Sequence, residues 1–262
     1  MLTISSPTIT TLFLLSLLHA LTTTAHPARH AIEKRQSVPI VMGLASTYGA
    51  VAHTTLTSTG NTVITGSCGT SPGTAITGFP PGVCTVSTSA GGTAAFNAEA
   101  ACLTAYNNAK GAVVTDALPS VELGGLTLPP GVYSFPASAA SLSTTLTLNG
   151  ASDPNGQWIF QITTTFKTAV GAGVILINGA QAGNVYFQVG TSATIAGATS
   201  LMGNVLAYTS VAVAGGASNN GTLCALNGAV TLIDNALTAV TNTNTTKESC
   251  VTLLGVRVCV LG

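Results

Sequence analysis

The sequence predicts a mainly β protein, a parallel β-solenoid with one long α-helix packed alongside. Three observations carry that expectation. From Leu123 onward, short runs of Val, Ile, Leu and Thr alternate with turns rich in Gly and Asn. Thr145-Leu146-Thr147-Leu148 precedes Asn149-Gly150, Val174-Ile175-Leu176-Ile177 precedes Asn178-Gly179, and Ala229-Val230-Thr231-Leu232 continues the pattern. Next, four segments align: Trp158-Ile159-Phe160-Gln161-Ile162, Val185-Tyr186-Phe187-Gln188-Val189, Val205-Leu206-Ala207-Tyr208-Thr209 and Thr222-Leu223-Cys224-Ala225-Leu226. They begin at 158, 185, 205 and 222, hence 27, 20 and 17 residues apart. A second short strand follows each, at 166–168, 193–195, 211–213 and 230–232. Irregular repeats of roughly 20 residues with two or three short strands each describe stacked coils. Roughly seven coils at 4.7–4.9 Å would stand ~30 Å tall. Finally, Thr93 to about Leu118 breaks the β pattern. Phe96, Ala100, Leu103, Lys110 and Ala117 recur at helical spacing, Thr93 can cap the start, and Pro119 stops the end. A helix of that length spans ~36 Å, close to the height of the stack, and can cover one side of it. A Greek-key sandwich explains neither the repeats nor the single helix.

Composition narrows the function. Of 262 residues, 46% are hydrophobic and only 5% charged, with seven Lys plus Arg against seven Asp plus Glu, and 42 Thr. Globular chains carry about 25% charged residues. Without a basic patch the chain does not bind nucleic acid. Its mean hydropathy of +0.54 argues against disorder, and it lacks coiled-coil heptads.

Met1 to about Ala25 reads as a secretory signal, with the apolar run 11–18 followed by small residues. That run is too short to span a membrane. Residues 26–35 read as a propeptide ending in the dibasic Lys34-Arg35, which resembles a processing site of fungal secreted proteins, with an uncut flexible tail as the alternative; cleavage there would leave Gln36 first. The expected organisation is thus signal 1–25, propeptide 26–35, solenoid domain 36–240, and a linker with a C-terminal tail over 241–262. The processed chain keeps His53, Lys110, Lys167, Lys247 and Arg257 as its cationic or titratable basic groups, and Glu99, Asp116, Glu122, Asp153, Asp234 and Glu248 as its acids.

The six cysteines of a secreted chain argue for disulfides. Cys68–Cys84 would close a Pro- and Gly-rich loop, and Cys250–Cys259 would clip a terminal hairpin turning at Leu254-Gly255. Cys102 and Cys224 then either pair by default, tying the helix to the body, or stay as buried thiols. No CxxC occurs and only one His remains, so neither a metal nor a cofactor is expected. Asn220-Gly221-Thr222 and Asn244-Thr245-Thr246 are acceptor sequons for glycans.

Several stretches occur in one order: Gly43-Leu44-Ala45-Ser46-Thr47-Tyr48-Gly49-Ala50-Val51-Ala52, Ala75-Ile76-Thr77-Gly78-Phe79, Leu103-Thr104-Ala105-Tyr106-Asn107-Asn108-Ala109, Glu122-Leu123-Gly124-Gly125-Leu126-Thr127-Leu128-Pro129-Pro130-Gly131-Val132-Tyr133, Asp153-Pro154-Asn155-Gly156-Gln157-Trp158-Ile159-Phe160-Gln161, Ile177-Asn178-Gly179-Ala180 and Asn184-Val185-Tyr186-Phe187-Gln188-Val189-Gly190. From about Gly43 to Thr238 the chain resembles the ice-binding-like (antifreeze) domain family of fungi, algae and bacteria. The resemblance implies a right-handed, three-sided, discontinuous solenoid with a helix beside it, and adsorption to an ice crystal surface through one flat face.

Strand alternation says where that face would lie. With Phe166, Ile195, Val211, Val213, Val230 and Leu232 inward, the outward positions are Thr165, Lys167 and Ala169; Ser192, Thr194 and Ala196; Ser210, Ala212 and Ala214; Ala229, Thr231 and Ile233. The strands 63–65, 75–77 and 141–143 add Thr65, Thr77, Ser141 and Ser143. The family comparison points to Thr77, Ser141, Thr194, Ala212 and Thr231 at matching places. Plain β-propensity also favours Thr on a solvated sheet. The competing reading is a secreted adhesin or module binding cell-wall polysaccharide. Catalysis is not expected, because the acids are scattered among turns, the helix and strand ends. A monomer free of membrane and nucleic acid is expected.

Overall fold

The computed structural model describes residues 39–240 and the backbone of 249–253 and 256–260. The signal, the Lys34-Arg35 site and the Asn244 sequon lie outside the described residues. Three parallel sheets of nine, seven and eight strands enclose a common core. Each complete coil contributes one strand to each sheet, in the manner of Trp158–Ile162, Phe166–Thr168 and Gly173–Ile177. The seven strands of the second sheet count the complete coils.

The coils do not stack in chain order. Two N-terminal coils lie against the last coil of the chain: Tyr48–Ala52 pairs with Leu223–Ala225, Thr55–Thr59 with Val230–Ile233, and Val63–Thr65 with Ala236–Thr238. The chain must then reach the opposite end of the stack before it winds back. The helix Thr93–Gly111 makes that passage along the nine-stranded sheet. Beyond it, Asp116–Ala117 pairs with Gly131–Ser134, the far edge of that sheet. Its 19 residues span about 28 Å, matching a seven-coil stack of ~30 Å.

Three expectations for the helix need correction. It ends at Gly111 rather than near Leu118, because Gly111 and the β-branched Val113, Val114 and Thr115 disfavour helix. The Gln161 Nε2 donates to the freed carbonyls of Ala109 and Ala112, both at 2.8 Å. At the start, Gly92 occupies the cap position and no side chain caps it, so Thr93 does not serve. The buried stripe is Ala95, Ala98, Cys102, Ala105, Tyr106 and Ala109, whereas Phe96 and Leu103 are 58% and 43% exposed. Small residues let the helix approach Val51, Val132, Ile159, Tyr186 and Leu206 of the sheet. A disulfide between Cys102 and Cys224 fixes this contact, bridging 122 residues. A second joins Cys68 to Cys84 within one terminal coil. In the tail, Ser249–Leu253 and Val256–Val260 pair antiparallel with Cys250 opposite Cys259; the hairpin's side chains and its turn are not among the described residues.

One inward column stacks aromatic rings before it continues through Val205 and Leu223. Tyr133, Phe160 and Phe187 occupy successive coils in register, with ring centroids 5.5 and 5.0 Å apart, and Phe166 stacks on Phe187 at 5.0 Å. Trp158 is fully buried and donates Nε1–H to the Leu128 carbonyl at 3.0 Å.

After six of the seven strands of the seven-stranded sheet the chain turns through the left-handed region, and these corners stack. Gly60, Gly78, Gly171 and Gly216 occupy them without Cβ penalty. Ala198 (φ 54°) and Asp234 (φ 45°) stand at equivalent corners. Asp234 gains a compensating bond from the Asn61 N–H; Ala198 has no side chain to do so. Left-handed alanine costs about 1–2 kcal/mol, against roughly 0.4–1 kcal/mol of extra unfolded-state entropy for glycine. Ala198→Gly should therefore raise Tm by about 1–4 °C, measured by calorimetry; a lower Tm would contradict the strain.

Candidate functional site

The seven-stranded sheet is built from 140–142, 166–168, 193–195, 211–213, 230–233, 55–59 and 75–77, in that spatial order. Its central outward column runs Ser141, Lys167, Thr194, Ala212, Thr231, Thr57 and Thr77, every neighbour in register with the next. The residues on either side of each point inward and are buried or half-buried, among them Phe166, Ala193, Ile195, Val211, Val213, Val230, Leu232 and Leu56. One flank carries Thr165, Ser192 and Ser210, half-buried before their strands; the other carries Ser143, Ala169, Ala196, Ala214, Ile233 and Thr59. Adjacent coils are about 4.8 Å apart and alternate residues along a strand about 6.6 Å apart. The result is a two-dimensional array of methyl and hydroxyl groups on a hydrogen-bonded frame.

The outward hydroxyls differ in availability. Among the described residues, those of Thr57, Thr77, Thr194 and Thr231 have no protein hydrogen-bond partner, so water is their partner. At the end of the sheet Glu122 pairs with Ser141 through a β-bridge. Its carboxylate accepts from the Ser141 hydroxyl at 2.7 Å, the Ser143 N–H at 2.8 Å and the Gly124 N–H at 2.6 Å. Ser141 and Ser143 therefore lie on the face but serve its edge. Burial pushes the Glu122 pKa up, and these hydrogen bonds outweigh it, holding the carboxyl below its usual value.

One expected residue lies elsewhere. Thr65 belongs to the eight-stranded third sheet, in register with Thr238, because Val63–Thr65 is the third strand of its coil and not the second. Residues that the alternation argument missed are Thr55, Thr57 and Thr59. They fill the gap between Thr231 and Thr77. Their own sequence, Thr-Leu-Thr-Ser-Thr, carries the alternation; what it lacks is any sign that an N-terminal strand inserts beside a C-terminal one.

Charge is nearly absent from this surface: Lys167 is exposed in the central column, with Glu122 at one edge and Asp234 at a corner. The other acids among the described residues are engaged locally. Glu99 meets His53 at 2.9 Å, Asp153 accepts from the Asn155 N–H at 3.0 Å, and Asp116 from the Thr115 hydroxyl at 3.1 Å. Among the described residues no group of three or more His, Cys, Asp or Glu converges.

A stiff parallel stack that shows solvent a repeating, ion-poor array belongs to the class of β-solenoids that meet an extended surface rather than a small ligand. The chain is a member of the ice-binding-like family, whose model matches residues 50–238. An ice-binding protein of Nostoc sp. is 42% identical over 196 residues, covering 74% of this chain and 72% of that protein. One from Typhula ishikariensis is 34% identical over 193 residues, covering 66% and 78%. Among solved structures, the ice-binding protein of the Antarctic ascomycete Antarctomyces psychrotrophicus superposes with a TM-score of 0.73 at 40% identity, covering 78% of this chain and 99% of that one. A glycosylated ice-binding protein from Arctic yeast gives 0.70 at 29% identity, covering 77% and 94%.

The carboxylate at the edge sets a pH dependence. A group with a depressed folded-state pKa stabilises fully above its unfolded pKa, and that stabilisation is lost as pH falls through the folded value. Glu122→Gln should lower Tm at neutral pH, and the gap from the parent protein should close progressively as pH falls below about 4.5. A gap that persists undiminished in acid would show that the charge is not what holds the edge.

Proposed function

We propose that the protein adsorbs to ice through the seven-stranded hydroxyl face and so hinders ice growth or recrystallisation. The observation that carries this is the central column, where Thr194, Thr231, Thr57 and Thr77 stand in register with unpartnered hydroxyls. A threonine methyl leaves water ordered above it, and its hydroxyl anchors that water. Repetition at fixed spacing lets the anchored water continue into a lattice. Each contact is weak, yet little conformational entropy is lost on adsorption, because the array is preformed. Ice growing between bound molecules must curve, and curved fronts grow less readily.

The family relatives named above are ice-binding proteins, in keeping with this reading. Polysaccharide binding finds no support: Trp158 is sealed in the core and offers sugars no platform. We infer further that the chain acts outside the cell without catalysis, as a processed monomer. The apolar leader, the dibasic site and the disulfides support secretion, and the dispersed, locally bonded acids speak against an acid–base site.

The test is the habit of single ice crystals grown in purified protein, together with thermal hysteresis. Faceted growth is expected; smooth discs would remove the proposal. Thr194→Tyr or Thr231→Tyr should sharply reduce hysteresis while leaving Tm nearly unchanged, since both side chains are exposed. Lys167→Thr should raise activity, because the ammonium orders water in its own geometry within the central column of the array. Unchanged hysteresis in both tyrosine variants would move the ice contact off this sheet.

A further inference from the structure

The third sheet poses a question that the ice-binding reading leaves open. Its outward residues, among them Thr127, Thr147, Ile175, Val63 and Thr238, carry no charge among the described residues. By composition it rivals the hydroxyl face. One residue sets it apart. Asn220 ends the strand Ser218–Asn220 at an outward position, in register with Met202 on one side and Thr238 on the other.

We propose that Asn220 carries an N-linked glycan, and that this glycan makes the third sheet the solvent face and leaves the hydroxyl sheet to meet ice. The second half rests on the ice-binding reading; the first does not. Three observations support it. Asn220-Gly221-Thr222 is an acceptor sequon. The Asn220 side-chain amide makes no strong bond within the fold: Nδ2 donates only to the Met202 sulfur at 3.3 Å, a weak acceptor. Neighbouring asparagines behave otherwise, Asn204 and Asn235 being buried with their amides bonded to backbone carbonyls. And the chain turns a corner at once, through Gly221 at φ 147°, which places the half-exposed Asn220 side chain at the strand-end rim of the sheet. Thr222 is buried with its hydroxyl donating to the Ala45 carbonyl, so glycan transfer precedes completion of the fold.

In that transfer the Asn220 Nδ2 forms a bond to the anomeric carbon of a lipid-diphosphate-linked oligosaccharide supplied by the secretory pathway. The bond from that carbon to the diphosphate oxygen breaks, the lipid diphosphate leaves, and the amide gives up one proton. A bulky hydrated glycan at this rim would hold the third sheet away from an ice front.

The experiment uses the full chain secreted from a yeast host with Asn244→Gln, which leaves one sequon. Intact mass should exceed the polypeptide mass by one glycan, fall to it on treatment with a peptide N-glycosidase, and show no excess in the Asn220→Gln, Asn244→Gln chain. A secreted Asn244→Gln chain at bare polypeptide mass would overturn the site. On the glycosylated protein, Thr147→Tyr should leave hysteresis unchanged; its loss would overturn the assignment of the third sheet to solvent. Failure of Thr194→Tyr to act would instead count against the hydroxyl face and leave the glycan standing.

Discussion

The parallel backbone ladder is the constraint from which the rest of this molecule follows. Hydrogen bonds between coils fix one repeat distance, about 4.8 Å, in all three sheets at once. Inside, that repeat brings the Tyr133, Phe160 and Phe187 rings face to face before the same column continues through Val205 and Leu223. Outside, the same repeat sets the distance between Thr194, Thr231, Thr57 and Thr77 through intervening Ala212. Core and face are two sides of one lattice. A cavity in the aromatic column would loosen the register of the hydroxyl array, even though no core residue belongs to it.

The second constraint is topological. Because the N-terminal coils lie beside the C-terminal one, the chain needs a return path as long as the stack, and the helix supplies it. Its alanine stripe and the Cys102–Cys224 bond then make the nine-stranded sheet a covered sheet. Two sheets remain to face outward. The seam between Thr231 and Thr57 joins residues 174 positions apart, counted from 57 to 231, in adjacent places on the face, and the His53 N–H spans the same seam to the Ala225 carbonyl at 2.9 Å. The strongest run of threonines on the array therefore depends on a contact made late in any folding that begins locally.

Much of this was legible in the sequence. The aligned segments at 158, 185, 205 and 222 give the strands of the covered sheet, and period-two alternation gives the inward and outward sets from Thr165 to Ile233. What periodicity does not encode is which coil abuts which. That is why alternation alone does not single out Thr57 and assigns Thr65 to the wrong sheet: a strand of three residues has the same pattern on any side of a triangle. The helix face was misread for a related reason. Phe96 and Leu103 are the larger apolar residues, but the sheet beneath offers only a shallow approach, and close packing there favours the alanine stripe.

The few charges are also placed by the lattice. A solenoid has two open ends whose unpaired amides invite end-to-end pairing. At one end the Glu122 carboxylate occupies the N–H groups of Gly124 and Ser143. At the other, Phe79 packs on the core, Pro80 and Pro81 lack N–H groups to donate, and the Cys68–Cys84 bond ties two edge-proximal strands together. Ion-rich edges would do this work as well, but every added charge near the hydroxyl sheet would hold water in a geometry foreign to ice. A chain that blocks its ends with one hydrogen-bonded carboxylate, prolines and a disulfide can keep its broad faces almost ion-free. On this argument the low charge of the whole sequence is in keeping with the ice contact proposed for this face, and Lys167, the exception in the central column, is the position least suited to it.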